Sequence, residues 1–187
     1  MNDLLLIRRS RAGDEEAFAE LFHKYKSVVY ETAYLMLGSA EDAEDALQEI
    51  FVRVYRYLST FEPSKGAFTT WLYRITVNHC LDRQRKPRLL TLPLDRVSPA
   101  LSTEHASSPE SPLAEEETIQ QALAQLSEKL RAVVILRYYQ ELSYAEIAQI
   151  LDVPVGTVKS RLNSALKTLR KELQTAGENV YPQEPLA

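Results

Sequence analysis

The chain has 187 residues, of which 45% are hydrophobic and 26% charged, as in ordinary globular proteins, and this length suits one domain or two small ones. No apolar run approaches the roughly 20 residues of a membrane-spanning helix, and the first residues lack the charge-then-apolar order of a signal peptide, so we expect a cytoplasmic chain without membrane insertion. The net charge of −4 is atypical of a free-standing DNA-binding domain, so any DNA contact must use local basic surfaces.

The first half of the chain has the apolar periodicity of amphipathic helices. Apolar residues recur every three or four positions in three stretches, residues 17–29, 43–58 and 68–75. Gly38 breaks the first helix, and Ser39 is predicted to cap the second, with Asp42 in the capping-box position. The pattern predicts a helical bundle over residues 1–87.

Near the end of this bundle, the adjacent His79 and Cys80 raise the question of a metal site. No second pair offers zinc-like spacing, and a lone cysteine fits a reducing compartment. His79 is therefore expected to end a helix, and Cys80 to be a small buried apolar residue. The sequence also lacks a phosphate-cradling glycine loop and a nucleophile elbow. We predict no metal, no cofactor and no enzymatic activity.

Residues 88–112 separate this bundle from a second helical block. They are rich in proline and serine and lack a sustained apolar period, which predicts a flexible linker. The second block, residues 113–174, has amphipathic helices, one of them capped by Ser127, and residues 175–187 are predicted to form a disordered tail. The predicted fold class is therefore all-α, with two small helical domains joined by a flexible linker.

The strongest local signal is a helix-turn-helix in the second block. Ser143 and Glu146 form a predicted capping box for a short helix, residues 152–154 form a turn, and a long helix follows. Residues 159–171 carry five cations and no acid, as expected of a helix that enters the major groove. A plain helical hairpin with a solvated polar face is the alternative, and the clustered cations favour DNA binding.

Several motifs, in the same order along the chain, resemble the extracytoplasmic-function (ECF) sigma factors of the sigma-70 family. GDEEAFAELFHKY (residues 13–25) is similar to the start of region two, and DAEDALQEIFVRVY (42–55) to its polymerase-binding helix. FTTWLYRITVNHCLDRQRK (68–86) resembles the promoter-melting segment, and SYAEIAQILDVPVGTVKSRL (143–162) the helix-turn-helix of region four. The resemblance covers everything except the linker and the tail.

The resemblance implies a sigma factor, a non-enzymatic subunit that directs core RNA polymerase to specific promoters and helps to open them. By itself, the acidic stretch at residues 41–49 favours a solvated face. In the family, however, the corresponding helix docks on a coiled coil of the polymerase's largest subunit. The residues implied in this contact are Asp45, Gln48, Glu49 and Val52.

The same resemblance assigns two surfaces to promoter DNA. Loop 61–67 is similar to the loop that receives an extruded base of the −10 element, and a melted strand can be held by stacking and a basic groove. The residues implied in −10 recognition and melting are Lys65, Phe68, Thr69, Tyr73, Arg74, Asn78 and Arg83. The residues implied in −35 recognition are Thr157, Lys159, Ser160, Arg161, Asn163 and Ser164. Trp71 shares the apolar stripe of its helix, which favours core packing over stacking on DNA.

One position departs from the family pattern. Many relatives carry a histidine or aromatic residue followed by arginine where this chain has Asn163 and Ser164, and another basic residue near Leu166. These differences leave the −35 sequence and the strength of its recognition open. Bidentate pairing of Asn163 with adenine is one hypothesis.

An anti-sigma protein is an implied partner beside core polymerase and promoter DNA, because family members are often held inactive by one. Two alternatives remain open. A stand-alone helix-turn-helix regulator, whose first block senses a ligand or dimerises, would bind a two-fold-symmetric site without polymerase. A regulatory module that sequesters a partner would not use DNA, so charge reversal at Lys159 or Arg161 would have no effect.

Overall fold

The computed structural model of the chain describes residues 3–85 and 112–175, with side chains described for residues 117–171 of the second range. The described residues contain no strand, and the all-α prediction is confirmed. The helices are α1 (Asp3–Arg11), α2 (Glu15–Leu37), α3 (Ala40–Tyr57), α4 (Phe68–Arg85), α5 (Pro112–Ala124), α6 (Glu128–Val134), α7 (Tyr144–Leu151) and α8 (Val155–Thr175). Two 3-10 turns, Leu58–Thr60 and Pro63–Lys65, connect α3 to α4, and a π-helical segment, Ile135–Tyr139, extends α6.

Helices α1 to α4 form the first domain around an apolar core. Its centre consists of side chains that are at most 1% exposed: Leu21, Val29, Ile50, Val54 and Leu72. Burial of each such side chain contributes about 1.5–3 kcal/mol relative to exposure. The apolar periodicity of the sequence therefore predicted the inward faces correctly.

The connection between α2 and α3 shows how the sequence ends one helix and begins the next. Gly38 adopts a left-handed φ of +74° and donates its N–H to the Tyr34 carbonyl at 2.8 Å. The Ser39 hydroxyl then accepts a hydrogen bond from the Asp42 N–H at 3.3 Å, so the predicted N-cap is confirmed. This two-residue connection lets α3 pack along α2.

In the second domain, α8 packs against both α6 and α7. Ser143 and Glu146 form the predicted capping box, with the Ser143 N–H donating to the Glu146 carboxylate at 2.9 Å. Asp152 ends α7 in the left-handed conformation, at φ 52°, and α8 begins after Pro154. The helix-turn-helix is thus present. Ser127 occupies the predicted N-cap position of α6, but its side chain makes no capping hydrogen bond.

The two domains contact each other. Helix α4 packs against α7, and the Arg131 guanidinium of α6 donates to the Met36 carbonyl at the end of α2, at 2.7 Å. The same guanidinium also donates to Leu123, at 2.8 Å, and so ties the end of α5 to this contact. Interdomain packing is therefore held by polar bonds as well as by apolar contact.

One local prediction is wrong, and two fall largely outside the described residues. His79 does not end a helix, because α4 continues to Arg85, and its ring is only 3% exposed. The predicted linker (88–112) and tail (175–187) lie outside the described residues, except for Pro112 in α5 and Thr175 in α8. Within the described ranges, no helix combines the length and apolar character that crossing a membrane requires.

Candidate functional site

Helix α3 presents a stripe of side chains to solvent, opposite its buried face. Asp45, Gln48, Glu49 and Val52 are all exposed, and their spacing of three and four residues places them on one side of the helix. Val52 is 49% exposed although it is apolar. An exposed apolar side chain beside two carboxylates suits a partner surface with both apolar and basic groups. We call these four residues the α3 stripe.

An aromatic groove adjoins the α3 stripe. This groove was not among the surfaces predicted from the sequence. Phe22 packs edge-to-face on Phe51 with ring centroids 4.8 Å apart, and Phe18 packs on Tyr55 at 5.0 Å. Together with Gln48 and Val52 these rings line a shallow depression between α2 and α3. Tyr55 is 54% exposed and lies one turn beyond Val52, a spacing that could have shown its place on this face.

The acidic side of α3 is partly neutralised from within the chain. The Arg83 guanidinium of α4 donates to Asp42 at 2.8 Å and to Asp45 at 3.2 Å, and lies 3.8 Å from the Glu49 carboxylate. Burial opposes the charge of this guanidinium, but its hydrogen bonds to Asp42 and Asp45 prevail and raise the pKa of Arg83. No local sequence pattern places a cation near these acids, because Arg83 is 41 positions from Asp42.

His79 lies on α4, one turn before Arg83. Neither ring nitrogen has a hydrogen-bond partner, and the nearest carboxylate oxygen, on Glu49, is 3.8 Å from Nε2. Burial lowers the pKa of His79, and the positive charge of Arg53 lowers it further. The ring is therefore neutral near pH 7 and packs as a core residue, next to the fully buried Cys80.

The loop at residues 61–67 is held at its entry by α1. The Arg11 guanidinium donates to the Leu58 carbonyl at 3.0 and 2.8 Å and also to the Phe61 carbonyl. This arginine was not among the candidate site residues, since no local pattern connects it to a loop 50 positions away. The loop itself contains the Pro63–Lys65 turn, and Gly66 has a φ of +152° that favours glycine.

A cavity opens between this loop and the start of α4. Its lining includes Phe61, Lys65, Thr70, Trp71, Arg74 and Gln149. Trp71 is half-buried and packs on Phe61 and Phe68, in keeping with the core role that the sequence favoured. Gln149 belongs to α7, so the second domain forms one wall of this cavity.

The residues predicted to bind the −10 element differ in accessibility. Lys65, Arg74 and Asn78 are exposed and Thr69 is half-buried, whereas Phe68 and Tyr73 are only 5% and 6% exposed. Phe68 packs against Tyr25, with ring centroids 5.4 Å apart. Arg83 is half-buried in the α3 cluster. The structure thus brings only part of the predicted set to one open surface, and the assignment of these residues to DNA stays a prediction.

Two of these residues form hydrogen bonds with the second domain. The Tyr73 hydroxyl donates to the Gln140 side chain at 2.6 Å, and Arg74 donates to the Gln149 carbonyl. Burial, together with the negative charge of Glu31, raises the pKa of Tyr73 to about 12, so the hydroxyl keeps its proton. The second domain therefore contacts α4 through Gln140, which precedes α7, and through Gln149 within α7.

Helix α8 leaves its predicted DNA-binding face open. Lys159, Ser160, Asn163 and Ser164 are exposed, and Thr157 and Arg161 are half-buried. Val158, Leu162 and Ala165 are at most 1% exposed on the opposite face. The Lys159 ammonium lies 5.8 Å from the centre of the Tyr144 ring, which orients it beside the N-terminus of α7. The apolar stripe of α8 therefore directs the polar residues outward.

A helix-turn-helix with an open basic face, in the second of two helical domains, is typical of DNA-binding transcription proteins, and comparisons with known proteins give the family. The Sigma-70 region 2 model matches residues 21–89, and the Sigma-70, region 4 model matches residues 116–169. The ECF RNA polymerase sigma factor SigW of Bacillus subtilis is 38% identical over 181 residues, covering 90% of this chain and 95% of the relative. The ECF RNA polymerase sigma-E factor of Escherichia coli K12 is 33% identical over 184 residues, covering 93% and 95%.

The fold also matches a solved structure, that of CnrH in complex with the cytosolic domain of CnrY. The TM-score is 0.71 at 23% identity, over 92% of this chain and 97% of that chain. The chain belongs to the ECF sigma factors of the sigma-70 family. Members of this family are non-enzymatic subunits that bring core RNA polymerase to promoter DNA and help to open it, which confirms the predicted family and function. The match of both regions disfavours a stand-alone regulator.

Proposed function

We propose that the α3 stripe and the aromatic groove beside it bind the coiled coil of the polymerase's largest subunit. The observation that carries this proposal is the exposure of Asp45, Glu49 and Val52 on the outward face of a helix whose other face forms the core. Carboxylates at the edge attract a basic partner, and the half-buried rings of Phe18 and Phe22 supply apolar area. The family position of this helix supports the choice of partner.

The promoter contacts divide between the two domains. Residues 1–87 hold core polymerase and the melted −10 strand, through the loop at 61–67 and the exposed side of α4. Residues 113–174 read the −35 duplex through the outward face of α8. Residues 88–112 connect the two domains, so that one chain can reach both elements. Such linkage raises the effective concentration of each domain at its own site.

For both contacts to form, the interdomain packing has to open. Tyr73 and Arg74 donate hydrogen bonds to Gln140 and Gln149 of the second domain, so these donors are available to a DNA strand only after the interdomain bonds break. The isolated chain therefore binds promoter DNA weakly, and core polymerase supplies most of the affinity. The net charge of −4 also weakens DNA binding by the isolated chain, because DNA is itself negatively charged.

We place this activity in the cytoplasm, with an anti-sigma protein as regulator. Two solved neighbours are complexes: CnrH with the cytosolic domain of CnrY, and RpoE of Bartonella quintana with the anti-sigma factor NepR. The second of these matches the fold with a TM-score of 0.64 at 24% identity. The likeness by itself concerns the fold, and the partner is carried by the family assignment.

The test is transcription in vitro with core polymerase over a promoter library, combined with charge reversal on α3. Glu49→Lys should weaken core binding by about tenfold, because it replaces an attractive carboxylate with a cation that repels the basic partner. Glu44→Lys is the matched control, since it makes the same charge change on an exposed position of α3 outside the stripe. Equal core affinity for both variants would refute the proposed surface, and absence of promoter-specific transcripts would refute the function.

A further inference from the structure

Arg83 lies between two surfaces that the proposed function keeps apart. It stands in the last turn of α4, where the family places a DNA contact, yet its guanidinium faces the acidic side of α3. Of its three carboxylate neighbours, Asp45 and Glu49 belong to the α3 stripe, at 3.2 and 3.8 Å. The third, Asp42, is the closest, at 2.8 Å.

The exposure of these groups shows which of them a partner can reach. The side chains of Asp45 and Glu49 are each 59% exposed, whereas that of Asp42 is 22% exposed. A cation of a docking partner can therefore compete with Arg83 for the two outer carboxylates, but not readily for Asp42. The Arg83 side chain is itself 29% exposed, so a phosphate can approach it from outside. A guanidinium has five N–H donors in a rigid fork and binds carboxylate and phosphate by the same geometry.

We propose that Arg83 couples polymerase binding to DNA binding. When basic groups of the polymerase pair with Asp45 and Glu49, Arg83 loses two of its three partners and becomes available to a phosphate of the melted −10 strand. Without polymerase, the carboxylates hold the guanidinium and repel the phosphate. The coupling is reciprocal: DNA that engages Arg83 also frees the outer carboxylates for the polymerase. This inference rests on the proposed function and adds a residue that connects its two halves.

A purely structural role makes a different prediction. If Arg83 only ties α4 to α3, its removal lowers stability and affects DNA binding equally with and without polymerase. The salt dependence of DNA binding separates the two roles. Log affinity falls as log salt concentration rises, and each phosphate contact on a single strand makes this fall steeper by about 0.7; we call the steepness the salt slope. Polymerase binding also separates the two domains, but this changes the DNA affinity of wild type and variant equally. Its effect therefore cancels when the two are compared in the same state.

The experiment measures binding of a labelled single-stranded −10 oligonucleotide across a salt series, by the full chain alone and by its complex with core polymerase. Arg83→Ala should lower the salt slope of the complex by about 0.7 and leave that of the free chain unchanged. Arg85→Ala is the matched control, an exposed arginine two residues away that changes the same charge without touching the α3 carboxylates. Its effect should be the same in both states.

Two further variants keep the test decisive if Arg83→Ala folds poorly. Arg83→Lys retains the cation and should retain the slope of the complex. Asp42→Asn loosens the closest hold on Arg83 and should raise the slope of the free chain toward that of the complex. Equal slopes for wild type and Arg83→Ala in the complex, or an equal loss in both states, would overturn the coupling. If the wild-type chain fails to bind core polymerase at all, the proposed function fails instead.

Discussion

The hydrogen bond between Gln140 and α4 makes the effect of Gln140→Ala on DNA binding predictable. The Gln140 side-chain oxygen accepts a hydrogen bond from the Tyr73 hydroxyl at 2.6 Å across the domain boundary. The Gln140 amide nitrogen also donates to the Glu31 carboxylate, at 3.4 Å. It belongs to the second domain and is not among the residues assigned to promoter DNA. Its removal therefore weakens the closed arrangement without deleting a DNA contact.

The expected magnitude follows from the bond that is lost. A hydrogen bond between uncharged groups contributes about 1 kcal/mol net, which corresponds to about fivefold in an equilibrium constant. Tyr73 is 6% exposed, so its hydroxyl would also be left poorly solvated in the closed state. Because the Tyr73 hydroxyl is available to a DNA strand only in the open state, the apparent affinity that depends on it scales with the open fraction. Gln140→Ala should thus bind the strand about fivefold more tightly than wild type.

The assay is fluorescence anisotropy with a single-stranded −10 oligonucleotide and the isolated chain. Gln121→Ala serves as the matched control, since this exposed glutamine of α5 has the same side chain away from α4. In the complex with core polymerase, where the domains are already apart, wild type and variant should bind equally. Unchanged affinity of the isolated Gln140→Ala chain would refute the claim that interdomain packing limits access to α4.

Two other residues give further predictions. Arg11→Ala removes the hydrogen bonds to Leu58 and Phe61 and should lower the free energy of unfolding by about 1.5 kcal/mol, measured by chemical denaturation. It should also relax base preference at one −10 position in transcription assays, with partial rescue by Arg11→Lys; unaltered preference would exclude a role in loop positioning. The lowered pKa of His79 means that the unfolded chain binds a proton more readily, so stability is full above about pH 6.5 and falls as pH drops below it. His79→Leu should reduce this loss between pH 7.5 and 5.5 in denaturation curves, and an unchanged pH profile would contradict the burial argument.

The sequence by itself determined the helices and the faces they bury. Ala46, Ile50 and Val54 recur with helical spacing along α3, and this spacing alone selects an inward stripe. The outward face of α8 follows from the same rule, because Lys159 and Asn163 lie off the stripe that contains Leu162. The capping box at Ser143 is equally local, since both of its partners lie within one turn.

Only the tertiary structure decided which side chains meet across the fold. Arg83 and Asp42 are 41 positions apart, and Tyr73 and Gln140 are 67 positions apart. No periodic pattern relates such residues, because their contact depends on how the helices pack and not on the spacing within one helix. The burial of His79 has the same origin, because it depends on the packing of α4 against neighbouring helices. The sequence therefore specified the surfaces of this sigma factor, and packing between helices decided which of them are open, neutralised or covered.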